Sequence, residues 1–140
     1  MNWIKLAIER TAAELPGNLN YKENHFQKVL EHYLRKFVPE CVVSKEVNIP
    51  YKTSDGFVFA YGRLDLTVET DTEVVILELK ANINFYTKQK ECFAQLRRYM
   101  KQVSTTKKVK GVLIVFGKHP PIIRYATKTD KTIQISNEVG

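Results

Sequence analysis

Between Gly62 and Lys80 the chain alternates twice between apolar and polar residues. The first run is Gly62-Arg63-Leu64-Asp65-Leu66-Thr67-Val68-Glu69. The second, after the polar break Thr70-Asp71-Thr72-Glu73, is Val74-Val75-Ile76-Leu77-Glu78-Leu79-Lys80. A period of two on both sides of a short polar break predicts a β-hairpin. With the turn centred on Asp71-Thr72, as a two- or a four-residue loop, Asp65 faces Glu78. Leu64, Leu66 and Val68 then meet Leu79, Leu77 and Val75 on one face. Arg63, Asp65, Thr67 and Glu69 share the other with Lys80, Glu78, Ile76 and Val74.

Two carboxylates across a ladder sit roughly 5 Å apart at Cβ and repel. A divalent cation removes the conflict, and hard oxygen ligands suit Mg²⁺ or Mn²⁺, which take one or two carboxylates and keep several waters. Lys80, two residues after Glu78, points to the same side, where an ammonium could steer an attacking water or neutralise charge on a phosphoryl group. A solvated surface hairpin with a cross-strand Asp/Lys/Glu cluster satisfies the same spacing, so the hairpin alone leaves both readings open.

The residues also spell a pattern. Gly62-x-x-Asp65, twelve residues, then Glu78-Leu79-Lys80 resembles the PD-(D/E)XK nuclease superfamily, with Leu64 where the name-giving Pro would stand. In that superfamily an acid on one strand and a (D/E)-x-K on the next hold the catalytic metal. A finer resemblance, to the GxxExxY protein family, runs from about residue 20 to 125. It starts in Asn20-Tyr21-Lys22-Glu23-Asn24-His25-Phe26, with Asn20 for Gly and Phe26 for Tyr, and continues through Lys45 to Tyr51, the hairpin, Gln95-Leu96-x-x-Tyr99 and Gly111 to Gly117. Gln95-x-x-x-Tyr99, which shares one side of a helix, resembles the QxxxY element of RecB-like nucleases, where the Gln orients the site or the substrate phosphate.

Around that core the chain reads as one domain. Its 140 residues suffice for a sheet covered by helices, and 44% hydrophobic content argues for an ordered globule. Lys and Arg outnumber Asp and Glu by 22 to 15, a net +7 that suits an anionic partner. Cys41 and Cys92 lack zinc-ligand spacing or a disulfide framework and read as buried thiols of a reducing compartment. His25, His32 and His119 are scattered without ligand spacing. With no long apolar run and no signal-peptide pattern, the expectation is an intracellular, cytoplasmic protein that does not enter a membrane.

Residues Trp3 to Leu15 read as a short helix, a 1–17 extension that packs on the domain or on a second copy of the chain. A second helix, about Tyr21 to Phe37, carries the stripe Phe26, Val29, Leu30, Tyr33, Leu34 and Phe37. Glu23 lies on that stripe at the first turn. Asn20-x-x-Glu23 is capping-box spacing, whereas the superfamily resemblance implies that a first-helix Glu joins or borders the metal site. Strands follow at about Val42 to Ile49 and, after the turn Thr53-Ser54-Asp55-Gly56, from Phe57 into the hairpin. A helix from Phe85 to Val103 carries Cys92, Leu96, Tyr99 and Val103 on its buried face. Arg97, Arg98 and Lys101, with Lys88, Lys90, Lys107, Lys108 and Lys110 around them, concentrate positive charge suited to a phosphate backbone. Lys110 to Phe116 reads as a buried strand, Ile122 to Tyr125 as another, and Ile133 to Ile135 as an edge.

These readings predict a restriction-endonuclease-like α/β sandwich with a mixed sheet, core order αβββαβ and an extra N-terminal helix. The function they imply is a Mg²⁺- or Mn²⁺-dependent nuclease acting on DNA phosphodiesters, exo or endo. Asp65 and Glu78 would bind metal, with the Leu79 carbonyl as a third ligand. Lys80 would position or activate water, Gln95 would orient it, and Glu23 would support the metal. Arg63, Tyr99, Arg97, Arg98 and Lys101 would contact the substrate. A nucleic-acid-binding module without turnover, or a dimeric junction resolvase, is the alternative, and RNA remains open as substrate.

Overall fold

The hairpin forms in the expected register and becomes the centre of the molecule. The computed structural model describes residues 2–16, 21–129 and 132–137. In chain order the elements are α1 (Asn2–Glu14), α2 (Glu23–Phe37), β1 (Val42–Lys52), β2 (Val58–Glu69), β3 (Glu73–Ala81), α3 (Phe85–Gln102), β4 (Lys108–Phe116), β5 (Ile122–Thr129) and β6 (Thr132–Ser136). The six strands lie in one sheet in sequence order. Only β3 and β4 pair in parallel, because α3 carries the chain back between them. This is the expected mixed α/β sandwich, with α1 preceding the αβββαβ core.

Two apolar layers hold the sheet between its helices. On one face Leu66, Val68, Val75, Leu77, Leu79, Val112, Ile114 and Phe116 pack under α1 and α2, which contribute Ile4, Ala7, Ile8, Phe26, Leu30 and Leu34. On the other, Ile76, Leu113 and Val115 pack under Phe85, Cys92, Leu96, Tyr99 and Met100 of α3. β3 and β4 are covered on both faces, which is why their sequences run apolar almost without interruption.

Several expectations change here. The apolar face of α1 lies inside the chain's own core, with Ile4, Ala7 and Ile8 fully buried, so it is not left over for a second copy. The side chains of Lys110 and Lys107 are not offered to phosphate. Lys110 is buried 2.6 Å from Glu73, and Lys107 bonds the Thr70 carbonyl at 2.8 Å and lies 3.3 Å from Glu69. Both tie β4 to the turn between β2 and β3. Among the described residues, no helix is long and apolar enough to cross a membrane.

The start of α2 also differs from a box closed by Glu23. The N-cap residue is Lys22, and its N–H is taken by His25 Nδ1 at 3.0 Å. Glu23 therefore occupies the first helical position, where its carboxylate is not needed by the backbone. Asn20 lies outside the described residues.

Candidate active site

β2 and β3 part company where the acids are. Their antiparallel ladder runs from Glu69↔Val74 to Leu66↔Leu77 and stops there. One step further, Asp65 does not continue the pairing with Glu78. Its Oδ2 accepts the Leu79 N–H at 3.0 Å, a side chain taking a bond that the ladder would otherwise have made. Beyond this point β2 stays with β1 and β3 stays with β4, so the two strands fork. Because a strand residue sends its N–H and C=O to the same side, the Leu79 carbonyl also points into the fork.

Glu78 is the side chain most strained electrostatically. It is 2% exposed, its Oε1 lies 3.3 Å from Lys80 Nζ, and its Oε2 has no hydrogen-bond partner among the described residues. Burial pushes its carboxyl up to about 8, and the neighbouring Asp65 charge adds to the rise, against the pull of Lys80. Glu23, half-buried at the head of α2, is raised for the same reasons, burial first and Asp65 second, again opposed by Lys80. The three carboxyl groups thus converge from α2, β2 and β3.

Lys80 is held between the acids and α3. Burial lowers its pKa, but Glu78, Glu23 and Asp65 together outweigh that and raise it, so it stays protonated. Its Nζ also donates to Gln95 Oε1 at 3.2 Å, and Gln95 Nε2 donates to the Tyr99 hydroxyl at 2.8 Å. Tyr99 is buried, which pushes its own pKa up to about 12, with a hydrogen bond to Tyr51 contributing to the rise. The Gln95–Tyr99 spacing therefore has a physical use: the tyrosine fixes the amide so that its oxygen faces the lysine. Tyr99 itself is inside the core, with its hydroxyl accepting from Gln95.

Arg63, Arg97, Arg98 and Lys101 are exposed, Arg63 on β2 two residues before Asp65 and the others on α3. The Arg98 guanidinium lies 4.5 Å above the Tyr51 ring. Asn82 and Tyr51 escaped the sequence reading as supports, and Gly62 entered it only as part of the Gly-x-x-Asp pattern. Asn82, at φ +60°, turns the chain out of β3; its N–H donates to the Phe116 carbonyl at 3.0 Å and its Nδ2 to the Tyr21 carbonyl at 2.8 Å. It thereby clips the head of α2, with Glu23, to the end of the strand that bears Glu78 and Lys80. The only signal in the sequence is an Asn at a strand end, a residue that tolerates the left-handed region. Tyr51 and Gly62 are in close contact, since any Cβ on Gly62 would collide with the Tyr51 phenol.

Among the described residues no three His, Cys, Asp or Glu side chains form a cluster able to hold a metal by themselves. A hard cation that keeps several waters needs fewer protein ligands. The unpartnered oxygen of buried Glu78 and the mutual repulsion of the three carboxyl groups both fit such an ion.

A mixed sheet between helices, with acids and a lysine at a fork between two strands, defines a restriction-endonuclease-like domain. A model of the PD-(D/E)XK nuclease superfamily matches residues 6–125, and the chain belongs to that superfamily, whose members are generally nucleases. No characterised protein and no solved structure matches it.

Proposed function

We propose that the protein is a Mg²⁺-dependent nuclease that hydrolyses DNA phosphodiester bonds, with Mn²⁺ able to replace Mg²⁺. The observation that carries this reading is the buried Glu78 carboxyl, one oxygen unpartnered, beside Asp65, Glu23 and a protonated Lys80. Asp65, Glu78 and the Leu79 carbonyl would hold the cation, which supplies Lewis-acid polarisation of a phosphoryl oxygen. Lys80, oriented by Gln95, would place its N–H groups against the attacking water or the charge developing on phosphate. Glu23 would support the metal from α2. Arg63, Arg97, Arg98 and Lys101 supply the sequence-independent phosphate contacts. The intact Glu23 and the Gln95–Tyr99 pair support kinship with the GxxExxY family and the QxxxY element.

The test is cleavage of labelled linear duplex, circular single strand and four-way junction with Mg²⁺, Mn²⁺ or EDTA. Wild type should give metal-dependent products, and Asp65→Ala or Lys80→Ala should give none while keeping the thermal transition of a folded domain. Full activity in either variant would sink the site assignment. DNA bound but uncut under every metal would make the protein a binding module instead.

A further inference from the structure

The β1–β2 hairpin outgrows the sheet. β2 pairs with β3 only over Leu66–Glu69, whereas its pairing with β1 continues to Lys52↔Val58, so residues 47–52 and 58–64 form a two-stranded arm beyond the fork. The arm meets α3 edge-on. One side of it, through Tyr51, lines a cleft of about 420 Å³ with Glu91, Ala94, Gln95 and Arg98. The other side, through Pro50 and Lys52, faces Gln102 and Val103 at the far end of the helix. The first side adjoins the candidate active site through Gln95, the residue that bonds Lys80.

That side is chemically distinctive. The register slips between Tyr51 and Lys52, and the Phe59 ring lies beside the Tyr51 ring, with centroids 6.4 Å apart. Phe59 is 59% exposed. Arg98 is exposed with its guanidinium 4.5 Å over the Tyr51 ring, a position from which its N–H groups can meet phosphate. Glu91, across the cleft, is a carboxylate that would repel phosphate but accept the amino or imino hydrogens of a base edge. An exposed ring, a phosphate-binding guanidinium and a base-edge acceptor beside a phosphodiester site match a nucleobase out of its stack. Paired bases inside a continuous duplex offer no face to Phe59.

We propose that an unpaired nucleobase stacks on Phe59 at the edge of the cleft between the β1–β2 arm and α3, so that the protein selects strands with an unpaired base next to the phosphate in the site over continuous duplex. This rests on the nuclease reading for its choice of ligand, but binding can be measured without turnover. Phe37 is the internal control: its ring is also exposed, but it ends α2, at the opposite end of that helix from Glu23.

The experiment is fluorescence anisotropy in EDTA with three labelled DNA probes: a single strand, a duplex carrying one unpaired base, and the fully paired duplex. Wild type should bind the first two at least tenfold more tightly than the third. Phe59→Ala should lose about tenfold on those two and little on the paired duplex, the scale of one base–aromatic stack. Phe59→Trp should keep the preference, and Phe37→Ala should bind all three probes within twofold of wild type. Equal binding of the three probes by wild type, no binding of any, or an equal loss in the Phe59→Ala and Phe37→Ala variants would each overturn the proposal. So would a dimer in sedimentation that Phe59→Ala dissociates, since the ring would then belong to a contact between copies. Metal-dependent cleavage without the preference would refute this inference alone, and the preference without cleavage would refute only the nuclease reading.

Discussion

Glu78→Gln isolates the electrostatic cost built into the site. The wild-type carboxyl rises from 4.5 to about 8 on folding, through burial first and Asp65 second. Above about pH 4.5 the unfolded chain releases this proton while the folded protein, without metal, keeps it until about pH 8. The folded state then binds more protons than the unfolded one, so stability falls as pH rises through that window. The full difference corresponds to about 5 kcal/mol, and the part between pH 5.5 and 8.5 to about 3 kcal/mol. Glutamine has nearly the shape of the protonated acid and does not titrate. In urea unfolding with EDTA, the variant should exceed wild type by about 1.4 kcal/mol at pH 5.5 and by about 3 kcal/mol more at pH 8.5. Added Mg²⁺ should recover stability at pH 8.5 in wild type far more than in the variant, because the ion takes over the neutralising role of the proton. Parallel stability curves for the two proteins from pH 5.5 to 8.5 would refute the reasoning.

Gln95→Ala should lower kcat by about tenfold to a hundredfold with little change in DNA affinity, because Lys80 loses the acceptor that aims it; an unchanged kcat would remove Gln95 from the site. Asn82→Gly keeps the left-handed turn and deletes the bond to Tyr21, so about 1 kcal/mol of stability should be lost and amide exchange at the first turn of α2 should quicken. Gly62→Ala should cost about 1–3 kcal/mol in chemical denaturation, as the new methyl meets the Tyr51 phenol. Leu77→Ala, at a fully buried position under α1 and α2, should cost about 2–5 kcal/mol by the same assay.

The register of the β2–β3 hairpin was legible because two alternating runs flank an unambiguous polar turn, and the structure pairs Leu66 with Leu77 as the alternation requires. The helices were legible from their stripes and the apolar β4 from its composition. The fork was not. Periodicity predicts that pairing continues to Asp65 and Glu78, and only the competition of a carboxylate for the Leu79 N–H ends it. The reach of Glu23 depends on where α2 begins, which the His25 ring decides by capping Lys22. Lys107 and Lys110 read as part of a basic cluster divided between phosphate contact and solvated surface, because sequence shows charge without burial. The pairing of Tyr99 with Gln95 was legible but the burial of Tyr99 was not, since four-residue spacing gives a shared helix side and not the depth at which a side chain sits. Asn82 joins segments about sixty residues apart, beyond the range of any local pattern.

The clip made by Asn82 also bears on how the molecule opens. Asp65, Glu78, Lys80 and Gln95 come from one continuous stretch of β2, β3 and α3, whereas Glu23 arrives on a separate layer, α1 with α2, that rests on a single face of the sheet. Such a layer is a natural unit of sub-global unfolding. Its detachment would withdraw one carboxylate and uncover the apolar surface of Leu66, Leu77 and Leu79 while leaving the other four groups in register. Hydrogen exchange should therefore release the two N-terminal helices together and before β3 and β4, and each added negative charge in the fork should favour the released form.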